Sequence, residues 1–366
     1  MLLSQDEVIT VIRGEGFHSS CLIIGVDTHK DQHVAVAIDR LGGRRGEYRL
    51  ATTTRGYADL ERWAKSLGEI GVFGVEGTGS YGAGLARFLS GRGHGVIEVN
   101  RPDRSTRRRK GKSDSTDAEM AARAVLAHVA EATPKSGVDQ VEMIRMLKIT
   151  KDSAVKARTQ ALNQMHAMLV TAPGVLREAL GGFTASKLVD RCARLRPGVL
   201  TTPTAAAKHA LRALARRCQQ LTAEIDAVET ELGQLTAQTA PALLATVGVG
   251  TDTASTLLVT AGGNPERLKS DAAFAALCGV SPIPASSGKT NRHRLNRGGD
   301  RRANAALHRV VVVRLRYDQR TREYMQRRTR EGMTKMEVIR CLKRYVAREI
   351  FALLRDLGQK NLAPAP

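Results

Sequence analysis

Aromatic side chains are scarce in this chain of 366 residues, because phenylalanine, tryptophan and tyrosine together make up 4% of it. Proteins that hold single-stranded nucleic acids commonly stack the bases on aromatic rings. With so few rings, any nucleic-acid surface of this chain should contact backbone phosphates rather than stacked bases.

Cysteine is also sparse, and its positions show neither the spacing of a disulfide framework nor that of a metal site. The nine histidines form no cluster with ligand spacing, which argues against a zinc site. No secretory signal and no apolar run long enough to span a membrane is visible. We therefore expect a cytoplasmic protein with five free thiols, at Cys21, Cys192, Cys218, Cys278 and Cys341.

Acidic residues are outnumbered, since 57 lysines and arginines face 36 aspartates and glutamates. The formal net charge of +21 and a pI near 10.3 predict a polyanionic partner, which indicates nucleic acid. Two basic runs account for much of this charge, and a third basic stretch, from Arg314 to Arg330 and from Lys335 to Arg348, could simply be the solvated faces of helices. The two main runs are Arg101, Arg104, Arg107, Arg108, Arg109, Lys110 and Lys112, and Lys289, Arg292, Arg294, Arg297, Arg301 and Arg302.

Two of the acidic residues lie close together at the start of a predicted helix. Asp114 and Asp117 stand three residues apart at the start of an amphipathic helix, so both side chains share one face. Carboxylates that close repel each other unless a cation lies between them, and a divalent cation with oxygen ligands is suitable. Taken alone, the segment favours an ordinary helix start, with Ser113 or Asp114 as the N-cap.

Two apolar strands end on an acid, at Asp27 and at Glu76, and Gly77 and Gly79 follow the second. A carboxylate at the end of a buried strand is costly unless it is paired or binds metal, although a lone one could be a solvated loop edge. The element order is a three-stranded meander, a helix over residues 56–67, a strand, a helix from Tyr81, a strand over residues 96–99 and the Asp114 helix. This order predicts an α/β domain with an RNase H-like (RuvC-like) fold, in which the four acids converge.

A second block, Cys278 to Lys289, contains the adjacent serines Ser286 and Ser287, followed by Gly288. A serine can attack a phosphodiester if its proton is removed and a metal neutralises the developing charge. The alternative is a Ser-Gly loop without chemistry.

These blocks, which include GVDTHKDQHVAVAID, VEGTGSYG and KSDSTDAEMAARA, together resemble the DEDD transposases of the insertion sequence 110 family, which are related to Piv-type DNA invertases. The resemblance implies that Asp27, Glu76, Asp114 and Asp117 bind Mg²⁺ or Mn²⁺ and that Ser287 or Ser286 is the nucleophile. Lys289 stands where the family has a second glycine, so the choice of serine stays open, with Ser287 favoured by its adjacency to Gly288.

The resemblance further implies that a transposase or recombinase cleaves and rejoins DNA strands through a covalent phosphoserine intermediate. Its partners would be double-stranded donor and target DNA, an element-encoded bridge RNA and further copies of the chain, as a dimer or tetramer. In the implied composite site, one subunit supplies the acids and another supplies the serine. The alternatives are a RuvC-like junction resolvase with water as nucleophile, and a basic DNA-organising protein without catalysis.

Between the two blocks the sequence is helical, with a heptad seam at Leu211, Leu214, Cys218, Leu221, Ile225, Val228, Leu232 and Leu235. A second helix over residues 141–170 could pair with it in an intramolecular hairpin, or the seam could join protomers as a coiled coil. Residues 170–203 are interpreted as an irregular connection. After them, residues 243–258 resemble a helix-hairpin-helix, whose Gly248 and Gly250 would present backbone N–H groups to phosphate, although two packed helices would give the same pattern.

We therefore expect a RuvC-like DEDD catalytic domain over residues 15–135 and a helical coiled-coil region over residues 136–240. A mainly α C-terminal transposase domain with the nucleophilic serine should occupy residues 241–366.

Overall fold

The computed structural model describes residues 21–100, 113–288 and 293–362, with side chains up to residue 358. The chain forms two units. The first comprises Met1–Asp139, Ala261–Phe274 and Leu354–Pro366, and the second comprises Gln140–Thr260 and Ala275–Leu353. None of the helices in the described part of the chain is long and apolar enough to cross a membrane. All five cysteines are free thiols, as the composition predicted.

The first unit contains a five-stranded mixed sheet in the order β3-β2-β1-β4-β5. β2 pairs antiparallel with both β1 and β3, whereas β1, β4 and β5 run parallel. The strands follow in the predicted order, although the third strand, expected from Glu47 to Thr54, spans Arg44–Ala51. The strands are β1 Leu22–Thr28, β2 Gln32–Ile38, β3 Arg44–Ala51, β4 Ile70–Glu76 and β5 Val96–Val99.

Helices cover both faces of this sheet, which explains why the central strands are apolar on both sides. α1 (Thr54–Leu67) and α2 (Ala83–Gly91) pack on one face, where Leu60 and Leu85 meet Ile24 and Phe73. α3 (Asp114–Leu126) packs on the other face against Ile23, Val36 and Val72. The mixed α/β character predicted for the N-terminal part is therefore confirmed.

Two long helices form the first half of the second unit, α4 (Gln140–Thr171) and α7 (Pro203–Thr239). They run antiparallel, because Gln140 contacts Thr239 while Lys151, further along α4, pairs with Glu229 further back on α7. The buried seam residues Leu211 and Cys218 pack against Ala161 and Met165 of α4. Within this chain the heptad seam thus forms an intramolecular hairpin, one of the two arrangements that the pattern allowed.

The prediction of an irregular connection over residues 170–203 is wrong. This segment contains two helices, α5 (Gly174–Leu180) and α6 (Ala185–Ala193). Their apolar residues Leu176, Leu180, Leu188 and Cys192 are buried in the same cluster as the α4–α7 seam. Pro173 and Gly181–Gly182 lie at the helix ends, where such residues are compatible with helices, rather than marking an unstructured stretch.

The C-terminal part is mainly helical, as expected, and contains a two-stranded antiparallel ribbon. In the ribbon Ile283 pairs with Arg294 and Pro284 with His293. The elements are α8 Pro241–Leu244, α9 Thr251–Ala261, α10 Asp271–Leu277, β6 Ile283–Pro284, β7 His293–Arg294, α11 Arg301–Tyr317, α12 Gln319–Arg330 and α13 Lys335–Leu362.

Candidate active site

Asp27 and Glu76 lie side by side at the ends of two parallel strands. The register pairs Val26 with Val75, so each acid comes one residue after a paired position. The Thr28 hydroxyl donates a hydrogen bond of 2.9 Å to the Glu76 carbonyl and holds the two strand ends together. Both carboxylates are on the sheet face that α3 covers, and their residues are 6% and 9% exposed. They are therefore buried acids rather than solvated loop edges.

The other two acids occupy the first turn of α3. Ser113 is the N-cap, since its hydroxyl accepts a hydrogen bond of 3.2 Å from the Thr116 backbone N–H. Asp117 is 3% exposed, whereas the Asp114 side chain is about half-exposed. The ordinary helix start and the acidic pair are thus both present. Ser113 caps the helix, so neither Asp114 nor Asp117 is needed as the N-cap.

His29 joins this cluster, although no sequence pattern predicted it. Its Nε2 atom lies 3.2 Å from Asp27 Oδ2 and 3.4 Å from Asp114 Oδ1. One ligand atom from each of these three residues lies within 4.8 Å of the other two, close enough to hold one metal ion. The available signal was the position of His29 two residues after Asp27, at the end of the same strand.

A buried histidine holds His29 in place. The His33 Nδ1 atom accepts a hydrogen bond of 3.3 Å from the His29 backbone N–H. Burial lowers the pKa of His33, which keeps the ring neutral and Nδ1 free to accept. His33 is fully buried and stacks on Tyr57 at a centroid distance of 6.0 Å. The turn after β1 is therefore fixed to the sheet core.

The electrostatics of the cluster favour a cation. Burial raises the pKa of Asp27, and the negative charges of Asp117 and Asp114 raise it further, against an opposing contribution from His29. Carboxylates that disfavour one another's ionisation are stabilised together by a bound cation. Oxygen ligands from Asp27, Asp114, Asp117 and the neighbouring Glu76 suit Mg²⁺ or Mn²⁺, and the His29 imidazole suits Mn²⁺ better than Mg²⁺.

Ser286 and Ser287 lie in the second unit, on an exposed loop that follows β6. Gly288 has a φ of +55°, in the left-handed region that residues with a Cβ rarely adopt. The glycine therefore permits the turn that follows the two exposed serines. The choice between the serines stays a prediction.

Some of the basic residues predicted to contact nucleic acid lie within the described residues and others lie outside them. Of the described residues, Arg294, Arg297 and Arg301 are exposed, and Arg302 pairs with Asp152 at 3.0 Å. Those outside the described residues are Arg101, Arg104, Arg107, Arg108, Arg109, Lys110, Lys112, Lys289 and Arg292.

Gly248 and Gly250 lie in the turn between α8 and α9. Gly248 has a φ of +83°, and a Cβ there would lie 3.1 Å from the Val310 carbonyl oxygen, so the turn packs closely on α11. The Gly250 carbonyl accepts hydrogen bonds from the N–H groups of Thr253 and Ala254 at the start of α9. α8 is four residues long, which makes the first helix of the expected helix-hairpin-helix short. Phosphate binding by Gly248 and Gly250 stays a prediction.

Two transposase family models match parts of this chain. Residues 24–172, which include the four acids, match a transposase family model of the DEDD type of IS110. Residues 240–326, which include both serines, match the model of the transposase IS116/IS110/IS902 family. The two models together match well over half of the chain.

Two curated relatives are insertion-element proteins. The chain is 25% identical to the IS900 uncharacterized 42 kDa protein of Mycobacterium paratuberculosis, over 91% of this chain and 95% of that protein. It is 32% identical to the IS110 uncharacterized 43.6 kDa protein of Streptomyces coelicolor, over 32% of this chain and 29% of that protein. The chain therefore belongs to the IS110 family of insertion-sequence transposases.

Proposed function

We propose that this transposase cleaves and rejoins DNA strands through a covalent phosphoserine intermediate, with Ser287 as nucleophile. The observation that carries the proposal is the convergence of Asp27, Asp114 and His29 within 4.8 Å of one another, with Asp117 close enough to raise the pKa of Asp27. Charge of that density, built on a rigid sheet and one helix, suits divalent-metal phosphoryl chemistry.

The metal would be held by Asp27, Glu76, Asp114 and Asp117, with His29 as an additional ligand. A divalent ion bound there supplies charge neutralisation on the phosphate under attack. The first unit fixes its ligands before DNA arrives, because Asp27 and Glu76 are anchored by pairing with β2 and β5 and Asp117 by a capped helix. Such preorganisation lowers the reorganisation needed in the transition state.

In the strand cleavage that we propose, the Ser287 oxygen forms a bond to phosphorus and the bond from phosphorus to one bridging sugar oxygen breaks. The hydroxyl proton passes to a base, and the leaving sugar oxygen takes up a proton. The energy of the broken phosphodiester is retained in the phosphoserine bond, so a second sugar hydroxyl can reverse the step and rejoin a different strand. Gly288 keeps the backbone beside Ser287 free of a Cβ that would obstruct the approach.

The finer assignments follow from the same proposal. The strand order and the three helices α1, α2 and α3 that cover the sheet support an RNase H-like catalytic domain over residues 15–135. We propose that the helical region 136–240 and the transposase domain 241–366 follow it. We further propose a composite site, with acids from one subunit and serine from another, in a dimer or tetramer guided by a bridge RNA. Its basic, phosphate-directed surface suits a protein that leaves sequence reading to base pairing.

Trapping the covalent adduct tests the proposal. The purified protein is incubated with Mg²⁺ or Mn²⁺ and fluorescently labelled DNA that carries the ends of its element, together with RNA transcribed from the element. The mixture is then resolved on a denaturing gel. We expect a labelled band at the summed mass of protein and DNA strand, absent with Ser287→Ala. Cleavage without such a band would assign the nucleophile to water and favour a junction-resolvase activity.

A further inference from the structure

Lys343 is a buried cation in the second unit. It lies on α13 and is 7% exposed, and its ammonium donates a hydrogen bond of 2.8 Å to the side-chain oxygen of Asn304 on α11. The Asn304 amide nitrogen donates in turn to the carbonyl oxygens of Cys278 and Gly279, at 3.2 and 2.8 Å. Asn304 is thereby held in one orientation, with its oxygen presented to Lys343.

An amide oxygen does not neutralise an ammonium. Within residues 113–288 and 293–358 no carboxylate forms an ion pair with Lys343, and the nearby Glu337 lies 3.9 Å from Arg340 instead. Burial lowers the pKa of Lys343, and the positive charge of Arg340 lowers it further. A buried ammonium without a counter-ion is costly, so its retention here points to an anion that binds beside it.

A cavity of about 790 Å³ borders this ammonium. It is enclosed by residues 279–282, by the ribbon strand β7 and by α13, all in the second unit. Of its described lining residues one is acidic, Glu337, and Lys343 is the most buried of the cations. The cations that line it are Arg294, Arg340, Lys343, Arg344 and Arg348.

We propose that this cavity binds a phosphodiester of the DNA strand on which the serine loop acts, with Lys343 as its buried counter-charge and Asn304 as a positioning residue. Forked guanidinium groups and an ammonium are the side chains that proteins use for phosphate oxygens. This inference rests on the proposed function for the identity of the strand, whereas the binding of a phosphodiester rests on the cavity alone.

The position of the cavity along the chain limits where that phosphate lies. Four residues lead from Pro282 in the cavity wall to Ser286, and they span at most about 14 Å when fully extended. Phosphates of one strand follow each other about every 3.4 Å along the axis of B-DNA. The cavity wall at Pro282 and the serine loop are therefore close enough together to contact phosphates of the same strand.

Salt-dependent binding tests the site without requiring cleavage. Fluorescence anisotropy measures the affinity of the full chain for a labelled 20-base-pair DNA duplex, at salt concentrations from about 50 to 200 mM. A second arm uses single-stranded RNA of the same sequence. The variants are Lys343→Gln, whose amide can still donate to Asn304, and Lys335→Gln as a matched control. Lys335 is exposed on the same helix and does not line the cavity.

We expect Lys343→Gln to weaken duplex binding about tenfold and to reduce the slope of log K against log salt by about 0.9, the value for one lost phosphate contact. Lys335→Gln should change neither. The melting temperature of Lys343→Gln without nucleic acid should stay equal or rise, because the buried charge is gone. An unchanged slope together with a lower melting temperature would overturn the inference and make Lys343 a structural residue. A larger change on the RNA arm would overturn the assignment to DNA.

The adduct experiment and the salt-dependence experiment together distinguish failure of the proposed function from failure of the phosphodiester site. If no covalent adduct forms but the slope still falls by about 0.9 with Lys343→Gln, the phosphodiester site stands and the cleavage chemistry does not. If the adduct forms but the slope is unchanged, the cleavage chemistry stands and the phosphodiester site does not.

Discussion

Gly25 in β1 and Ala118 in α3 are so close that a Cβ on Gly25 would lie 2.0 Å from the Ala118 carbonyl oxygen. Gly74 stands beside Gly25 in the parallel strand β4, and a Cβ there would lie 2.7 Å from the Val125 side chain. These two glycines precede Asp27 and Glu76 by two residues. They therefore let α3 rest directly on the two strands that end in Asp27 and Glu76.

Substitution of Gly25 should separate α3 from the sheet. We expect Gly25→Ala to lower the free energy of unfolding of the first unit by about 3 kcal/mol, because the added Cβ meets helix backbone that has little room to move. Urea denaturation followed by circular dichroism measures the loss. Gly79→Ala is the control, since a Cβ at Gly79 has no neighbour within 4 Å. Equal stability of both variants would contradict the close packing.

Neutralising the acids should abolish metal binding and cleavage together. We expect Asp27→Asn, Glu76→Gln, Asp114→Asn and Asp117→Asn each to lose Mn²⁺ binding in calorimetric titration and to lose DNA cleavage, while DNA affinity persists. Asp59→Asn is the control, because this half-buried carboxylate pairs with Arg62 on α1, away from the cluster.

The choice of ion should follow from the same ligands. Mg²⁺ and Mn²⁺ should support cleavage and Ca²⁺ should not, since Ca²⁺ accepts longer and looser coordination than in-line displacement needs. His29→Ala should weaken Mn²⁺ binding more than Mg²⁺ binding, because imidazole is the softer ligand. Full cleavage in the presence of a chelator would disprove the metal site.

The two serines should behave differently. Ser287→Ala should eliminate both cleavage and the covalent adduct, whereas Ser286→Ala should only weaken them, because Gly288 gives the backbone beside Ser287 room to approach the phosphate. Denaturing gels with labelled DNA measure both products. If Ser286→Ala is the inactive variant, the nucleophile is one residue earlier; if the double variant still cuts, water is the nucleophile.

Asp252 should be the main electrostatic anchor of the second unit. Its carboxylate contacts Lys148 Nζ at 2.7 Å, Lys151 Nζ at 3.1 Å and Arg309 at 3.0 Å. Burial opposes its ionisation, but the lysines outweigh burial and lower the pKa of Asp252 to about 2.

Asp252→Asn leaves Lys148, which is buried, without this partner. We expect a loss of about 3 kcal/mol in the free energy of unfolding, measured by urea denaturation. Asp226→Asn, at an exposed position on α7, should cost less than about 0.5 kcal/mol. A comparable loss in both variants would show that the cluster contributes no more than general surface charge.

Glu61 should make the first unit sensitive to acid. Burial opposes its ionisation, but hydrogen bonds from Lys65, His94 and Arg92 prevail and lower its pKa from 4.5 to about 2. Since the folded state has the lower pKa, the stability from Glu61 is present above pH 4.5 and is lost as the pH falls towards 2.

Glu61→Gln should therefore flatten the pH dependence of unfolding in this window. We expect a difference of about 1 kcal/mol between pH 5 and pH 3 to disappear, a value reduced from the full linkage effect because Lys65 and Arg92 are half-exposed and screened by solvent. Chemical denaturation at several pH values measures it, with exposed Glu69→Gln as the control. An unchanged pH profile would exclude Glu61 as the source.

Local patterns in the sequence determined the elements that carry the chemistry. The apolar run ending on Asp27 predicts β1 because a strand buried on both faces needs continuous hydrophobic residues. The spacing of Asp114 and Asp117 predicts a shared helix face, and the heptad seam predicts a long paired helix, because both depend on a period of about 3.6 residues.

Tertiary structure alone decided which side chains meet. The apolar seam of α7 is buried against α4 of the same chain. Periodicity alone could not distinguish this hairpin from a coiled coil between two protomers, because both arrangements bury the same apolar residues. The short helices α5 and α6 could not be predicted from local patterns, because their stability comes from packing on that hairpin rather than from local propensity. His29 and Lys343 are single polar residues whose importance depends on neighbours distant in sequence, Asp114 and Asn304, and contacts of that range exist only after the chain has folded.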